Sequence, residues 1–145
     1  MINNIVFSVF SESAEEIKVE SKLKELIGFD ILKEKIKIEK KTVKGLNESE
    51  QVTFNVLISR KGLAKKVANK LISRLSGEDK KVIIKTLDSR FSDDQHLFLR
   101  FDKNLFLENN LKLCDHGCCF HVKISIVTFP RNLEKGKEEI LEILN

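Results

Sequence analysis

Five segments of the chain alternate apolar and polar residues, and this alternation predicts β-strands. Successive side chains of a strand point to opposite faces of its sheet, so a half-buried strand has a period of two residues. In the clearest case Val52, Phe54, Val56 and Ile58 alternate with polar residues. The first segment is apolar on both faces, which predicts a mostly buried strand. The predicted strands are residues 4–10, 34–43, 51–59, 97–102 and 120–126.

Four further segments repeat apolar residues at the spacing of a helix. In the segment 62–75, Leu63, Val67, Leu71 and Leu75 recur every fourth residue, which places them on one face of a helix. Serine at a helix start and glycine just after a helix end are favourable caps. The other predicted helices run from Ser11 or Ser13 to Gly28, from Glu78 to about Asp88, and from Leu133 onwards.

Two of these helices carry signals that bear on packing. Glu15 and Glu16 suit the start of the first helix, because acidic side chains interact favourably with the positive end of a helix dipole. Gly136 is predicted to weaken the last helix, since glycine is a poor helix former. The residues predicted to face inward from the first helix are Ala14, Ile17, Leu23, Leu26 and Ile27.

The order of the predicted elements is strand, helix, two strands, two helices, two strands and a helix. It lacks the regular strand and helix alternation of a doubly wound parallel sheet, and strands with one polar face are typical of antiparallel sheets. We therefore expect an α+β fold, a two-layer sandwich with helices packed on one face of a mainly antiparallel sheet. The chain has 145 residues with one proline and six glycines, so residues 1–145 should form a single domain.

The positive charge of the chain is concentrated in one stretch. The formal net charge is only +4, but residues 60–77 contain six basic side chains and no acidic one. Such a stretch attracts a polyanion because binding releases counterions. The alternative is an ordinary solvated helix face, although such a face usually pairs Glu with Lys four residues apart. The basic residues are Arg60, Lys61, Lys65, Lys66, Lys70 and Arg74.

The polar face of the predicted sheet is a second candidate surface. Bases could stack on it while phosphates pair with its cations. The chain has no Tyr or Trp and lacks the aromatic ribonucleoprotein signatures of RNA-recognition sheets, so a merely hydrated face is the alternative. The residues of this face are Lys35, Lys37, Lys41, Gln51, Thr53, Asn55, Phe98, Arg100 and Lys123.

All three cysteines and two of the three histidines lie in the segment 114–121. Thiolates and imidazoles are zinc ligands, so this segment could supply a tetrahedral site. Structural zinc sites usually draw on two separated pairs, and no second CxxC is present, which favours buried or turn cysteines and no bound metal. The residues concerned are Cys114, His116, Cys118, Cys119 and His121.

Motifs of common enzyme classes are missing from the sequence. It has no GxxxxGK[ST], GxGxxG, HExxH or GxSxG, and no spacing of His96, His116 and His121 favours a catalytic triad. We expect a binding protein that is not an enzyme and uses no cofactor. No stretch reaches the roughly 18 apolar residues of a membrane span, and no signal peptide is recognisable. Crowded cysteines in odd number fit a reducing compartment, so we expect a cytoplasmic location.

The run Leu99-Arg100-Phe101-Asp102-Lys103-Asn104, followed by a long strand and a charged terminal helix, carries a family resemblance. It resembles an archaeal family described as predicted RNA-binding proteins or predicted exosome subunits, whose members carry R-x-D-K-Q at the end of a strand. Asn104 replaces the Gln, and the Gly-Asn-Pro loop of the family is represented only by residues 45–47, without proline. The resemblance implies an α+β fold similar to the ribosomal protein that cradles 5S ribosomal RNA, and a role in RNA binding or processing assemblies.

The sequence thus predicts an RNA-binding module that contacts phosphates with little sequence reading. Asp102 should hold Arg100 or Lys103 in position through a charge-assisted pair. The alternative is a subunit that docks on an RNA-processing particle without touching RNA. The expected partners are RNA and exosome or ribosome-associated proteins, with no membrane contact, and a homodimer stays open. The predicted RNA-binding residues are Arg60, Lys61, Lys65, Lys66, Lys70, Arg100 and Lys103.

Overall fold

The structure is a computed structural model that describes residues 1–28, 33–34, 36–44 and 50–145. These residues confirm the predicted α+β fold, with helices packed on one face of a five-stranded antiparallel sheet. The loop predicted near 45–49, Lys35 and the side chain of Lys61 lie outside the described part of the chain.

The five strands lie in the order β2-β3-β1-β5-β4, so the first strand of the chain is central. Every neighbouring pair is antiparallel. Each predicted strand is present, with ends that differ by a few residues. The strands are β1 (Ile2–Glu12), β2 (Ile38–Lys44), β3 (Glu50–Ile58), β4 (His96–Asp102) and β5 (Cys119–Ile126).

Six α-helices are formed by the described residues, and a 3-10 turn at Ser13–Glu15 precedes the first of them. The helix formed by the basic stretch packs on the central strand β1. The helices are α1 (Glu16–Ile27), α2 (Lys61–Ser73), α3 (Gly77–Lys85), α4 (Leu87–Arg90), α5 (Lys103–Leu107) and α6 (Leu133–Leu144).

The hydrophobic core lies between the helices and one face of the sheet. Phe7 of β1 pairs with Val56 of β3 and with Val122 of β5, and all three side chains are buried. Buried residues of α2, among them Val67 and Leu71, close the core from the helical side. The alternate strand residues point to the other face, called here the open face, where most side chains are half-buried or exposed.

The first helix begins later than the sequence predicts, because β1 continues further and a 3-10 turn follows it. Neither Ser11 nor Ser13 caps the helix. Ser11 is part of β1, and its hydroxyl donates to the carbonyl of the next residue at 2.8 Å. The inward positions predicted for Ala14 and Ile17 are wrong, since both are exposed and Ile17 is 85% accessible. Val19 is buried on the inward face instead.

The helix predicted from Glu78 to about Asp88 is interrupted at Thr86. The Thr86 hydroxyl donates to the carbonyl of Val82 at 2.6 Å and accepts a hydrogen bond from Arg90 Nε at 2.6 Å. This side chain therefore ties the end of α3 to α4. The connection directs Arg90 toward β4.

Helix α6 approaches the core closely at Gly136. A Cβ atom at this position would lie 2.9 Å from Cζ of the buried Phe91 ring. Glycine is thus required by packing at a place where the sequence alone indicates only a weak point of the helix. The dense contact explains how a residue of low helix propensity is accommodated in this element.

Candidate nucleic-acid interface

Two rows of side chains cross the open face from β3 through β1 and β5 to β4. The strand registers define their members, because cross-strand partners point to the same face. Neighbouring strands are about 4.8 Å apart, so each row spans about 14 Å. The polar row consists of Asn55, Ser8, His121 and Arg100. The mixed row consists of Leu57, Val6, Lys123 and Phe98.

A groove follows these rows across the open face. It is made of two hollows of about 410 and 380 Å³. The first is lined by Asn55 and Leu57 at the β3 end, the second by Phe98 and Arg100 at the β4 end, and both include Val6. The two hollows therefore adjoin at Val6 of the central strand.

Two arginines meet at the β4 end of the groove. Arg90 Nη2 lies 3.4 Å from Asp115 Oδ1, and Arg100 Nη1 donates to the main-chain carbonyl of Asp115 at 3.4 Å. Both arginines and Phe98 line a third hollow, of about 420 Å³, between β4 and the junction of α3 with α4. The Arg90 side chain is 12% exposed. Asp115 thus brings two guanidinium groups to one end of the groove.

Phe98 is the aromatic side chain that lines the two hollows at the β4 end. It is 48% exposed, and its ring makes an edge contact with His96 at a centroid distance of 6.2 Å. Its cross-strand partner is Lys123. An exposed ring with a lysine across on β5 and an arginine two residues along β4 provides a flat apolar surface beside two cations, which is an arrangement suited to a stacked base and its phosphate.

His121 lies in the middle of the polar row, next to Arg100. Desolvation of its ring and the positive charge of Arg100 lower the pKa of His121 below its usual value. The imidazole is therefore predominantly neutral at pH 7.5. On the other side, the Ser8 hydroxyl donates to Asn55 Oδ1 at 3.0 Å. The centre of the polar row consequently carries hydrogen-bonding groups without net charge.

Carboxylates are found at the opposite end of the groove. Glu34 and Glu39 line the first hollow together with Lys37 and Arg60. Arg60 Nη1 contacts Glu34 Oε2 at 3.2 Å, with both side chains more than half exposed. The charge of Arg60 is thus partly neutralised, and the charged side chains of this hollow sum to zero, whereas Arg100 and Lys123 give the hollow at the β4 end a positive charge.

The basic helix α2 lies in the other layer of the molecule. Its buried face packs on β1, so the exposed Lys65 and Lys66 point away from the sheet. Lys70 Nζ donates to the main-chain carbonyl of Glu25 at 2.8 Å. Arg100 points to the open face, because its neighbours on β4 are buried beneath the helices. The helix cations and Arg100, which are predicted together as RNA-binding residues, therefore lie on different surfaces.

Lys103 is placed in the interior instead of on a surface. It is 6% exposed, and its Nζ donates to the carbonyl of Phe10 at 3.2 Å and lies 3.6 Å from Glu15 Oε2. The predicted phosphate contact of Lys103 needs a correction, since a buried and hydrogen-bonded ammonium group is not available to a surface ligand.

Asp102 also differs from the prediction. Its Oδ1 accepts the N–H of Leu105 at 2.9 Å, which caps the start of α5, and no ion pair of Asp102 with Arg100 or Lys103 is found among the described residues. Two members of the R-x-D-K segment therefore fix the strand-to-helix junction. Arg100 alone projects from it to the open face.

The cysteine segment forms a turn beside the β4 end. Gly117 has a φ of +93°, a conformation that favours glycine, in agreement with the predicted turn. Cys114 is bonded to Cys119 across the turn, and Cys118 is an exposed thiol. Within the described ranges, no three side chains of the Cys, His, Asp and Glu types are grouped as a metal site.

Sequence reasoning missed three residues of the groove. Ser8 was hidden in an apolar strand, His121 was considered only as a zinc ligand or a triad member, and Arg90 was part of a helix without an obvious face. The period-two pattern of β1 and β5 assigns Ser8 and His121 to the open face, so the signal for these two was present. Arg90 depends on the break at Thr86, for which no clear sequence signal exists.

Comparisons with known proteins agree with a nucleic-acid interface. A family model described as RNA binding matches residues 4–126. A DUF54 protein from Archaeglobus fulgidus is 25% identical, with 99% of both chains covered and a TM-score of 0.80. A DUF54 protein from Methanothermobacter thermautotrophicus is also 25% identical, covering 100% of this chain and 99% of that one, with a TM-score of 0.77.

A DUF54 protein from Sulfolobus solfataricus shares the fold, with 21% identity, 98% and 97% coverage and a TM-score of 0.77. No curated protein matches the chain. In the described residues, no helix has the length and apolar character needed to cross a membrane. Because the family model covers most of the chain, including all five strands, we conclude that this protein belongs to the RNA-binding family.

Proposed function

We propose that the chain binds RNA without catalysis, and that the open face is the contact surface. The observation that carries this proposal is the exposed Phe98, which lines one hollow together with Arg100 and Lys123. The family is described by RNA binding, and no catalytic activity is part of that description. RNA is thus the partner indicated for the chain, and the open face offers both a stacking surface and cations.

The open face is preferred to the α2 surface because it combines two kinds of contact. Lys65 and Lys66 offer charge alone, on a flat exposed helix. Phosphate contacts position a nucleic acid, whereas aromatic and polar contacts hold its bases. RNA contact by Arg60 at the edge of the open face stays a prediction. RNA contact by Lys65, Lys66 and Lys70 also stays a prediction, and these three define a second surface that the same experiment tests.

The resemblance to predicted exosome subunits suggests a setting for this activity. We propose that the protein acts in the cytoplasm within an RNA-processing or RNA-degrading assembly, to which it contributes RNA binding. The alternative is a docking subunit that touches no RNA. Leu57, which is 57% exposed on the mixed row, would then contact protein.

The test compares two double variants, each of which truncates two side chains of one layer. Phe98→Ala/Arg100→Ala alters the open face, and Lys65→Ala/Lys66→Ala alters α2. Fluorescence anisotropy with a labelled single-stranded RNA at low salt measures the affinity. Loss of one stacked base costs about 1–3 kcal/mol, so the first variant should bind at least fivefold more weakly.

Circular dichroism and thermal unfolding of both variants verify that the fold is intact. Weakening by the α2 variant alone would assign RNA to the helical layer and reject the open face. Absence of RNA binding by the unaltered protein, together with its co-purification with a multi-subunit particle, would favour the docking alternative.

A further inference from the structure

We infer that the groove is a site for single-stranded RNA, whose bases lie over the polar and mixed rows while its phosphates are held at the β4 end. This inference depends on the proposed function, because it specifies the form of RNA that the open face binds. It follows from how charge, hydrogen-bonding groups and apolar surface are distributed along the groove.

Charge is distributed unevenly along the groove. The hollow at the β4 end is lined by the cations Arg100 and Lys123, with the Arg90–Asp115 ion pair beside it, whereas Glu34 and Glu39 offset Lys37 and Arg60 at the β3 end. A phosphate backbone is therefore attracted to the first end more strongly than to the second. A duplex that covered the whole face would bring phosphates of one strand or the other against the carboxylates. A short single strand avoids this contact.

The centre of the groove is suited to bases. Asn55 Oδ1 accepts the hydroxyl of Ser8, so the amide NH₂ of Asn55 is left to donate to a ligand. His121, with its lowered pKa, offers one donor and one acceptor as a neutral imidazole. Uncharged groups of this kind match the edges of unpaired bases, which expose donors and acceptors that a duplex keeps in its base pairs.

The mixed row provides the surface on which bases stack. Phe98 and Val6 line the same hollow as His121 and Arg100, so a base over Phe98 can reach the polar row with its edge. Stacking on a side chain requires a base that is not already paired and stacked in a helix.

The experiment measures the affinity of the full chain for three labelled probes. They are a single-stranded RNA of eight nucleotides, a hairpin that pairs the same sequence, and an abasic analogue with the same number of phosphates. We expect the single strand to bind about tenfold more tightly than the other two. Asn55→Ala should weaken single-strand binding about three- to tenfold, the effect of a lost hydrogen bond, and leave the abasic probe unchanged.

Thr53→Ala is the matched control, because Thr53 lies on β3 next to Asn55 on the same face, outside both rows. If Asn55→Ala does not fold, His121→Ala provides the same test. Equal binding of all three probes, with Phe98→Ala/Arg100→Ala weakening each alike, would overturn this inference and leave the proposed function intact. Failure of that double variant to weaken any probe would overturn both.

Discussion

Lys103 shows how burial changes the role of a charged residue. Its ammonium group is enclosed, hydrogen-bonded to the carbonyl of Phe10 and close to the carboxylate of Glu15. Removing one partner from such a group is costly, because the other partner loses a contact that water does not fully replace. Lys103 therefore joins the end of β1 to the start of α5. The sequence shows that Lys103 is charged but not that it is buried.

We predict that Lys103→Met lowers the free energy of unfolding by about 1–3 kcal/mol, because Phe10 and Glu15 lose their buried partner. RNA affinity of the folded variant should be unchanged. Urea denaturation and anisotropy measure the two quantities. Lys112→Met, which alters an exposed lysine, is the control and should affect neither. A loss of RNA affinity without a loss of stability would return Lys103 to the binding site.

His121 makes stability depend on pH in a defined direction. Desolvation and Arg100 lower its pKa in the folded protein, so the unfolded chain takes up a proton first as the pH falls. The contribution of His121 to stability is complete above pH 6.5 and decreases below it, toward the lower folded pKa.

Unfolding in urea at pH 7.5, 6.5 and 5.5 should therefore show a smaller loss of stability for His121→Gln than for the unaltered protein. His116→Gln changes an exposed histidine of the adjacent turn and serves as the comparison. If the two variants have the same pH dependence as the unaltered protein, the environment assigned to His121 is incorrect.

At the scale of elements, the junction of β4 with α5 depends on contacts that the periodicity of apolar residues does not reveal. The apolar period identified all five strands and the four longer helical segments, since burial of one face dominates these elements. Helix α5 was not predicted, because five residues are too few for a helical period. Its existence depends on the Asp102 cap and on the packing of Phe106 against Phe120, whose ring centroids are 4.6 Å apart.

The cap of α5 leads to a prediction that separates capping from charge. Asp102→Asn keeps an oxygen that accepts the Leu105 N–H, so stability and RNA affinity should be nearly unchanged. Asp102→Ala removes the cap and should cost about 1 kcal/mol in thermal or urea unfolding. If Asp102→Asn lowers RNA affinity as much as Arg100→Ala does, the carboxylate charge of Asp102 contributes to binding after all.

The contact between α6 and Phe91 leads to a second prediction for an element. Alanine at position 136 would gain up to about 1 kcal/mol of helix propensity, but overpacking a buried ring costs about 1–3 kcal/mol. We expect Gly136→Ala to lower the melting temperature. Gly62→Ala is the matched control, since a Cβ there meets no atom within 4 Å. A melting temperature raised by Gly136→Ala would show that Phe91 moves aside freely.

At the scale of the whole molecule, the two layers of the sandwich separate Arg100 from the lysines of α2, although the sequence predicts them as one set of RNA-binding residues. The polar face of the sheet was predicted from alternation, and the basic helix from composition. Which surface each occupies depends on the layer into which its element packs, and a one-dimensional pattern does not contain this information. Arg100 and the exposed lysines of α2 consequently point in opposite directions.

The separation of the layers predicts a modest dependence of RNA affinity on salt. Contacts of Arg90, Arg100 and Lys123 with two or three phosphates of a single strand give a slope of log K against log salt of about −1.4 to −2. Engagement of α2 as well would make the slope roughly twice as steep. Titrations from 50 to 300 mM salt measure it, and Lys65→Ala/Lys66→Ala should leave it unchanged.

The back-to-back arrangement of the open face and α2 has a consequence for crowded assemblies. If RNA occupies the open face as proposed, Lys65 and Lys66 stay exposed on the opposite side of the molecule. A second polyanion or an acidic protein could then contact α2 while RNA occupies the open face. The two layers of the fold therefore offer separate surfaces, so that RNA binding and partner binding need not compete for the same residues.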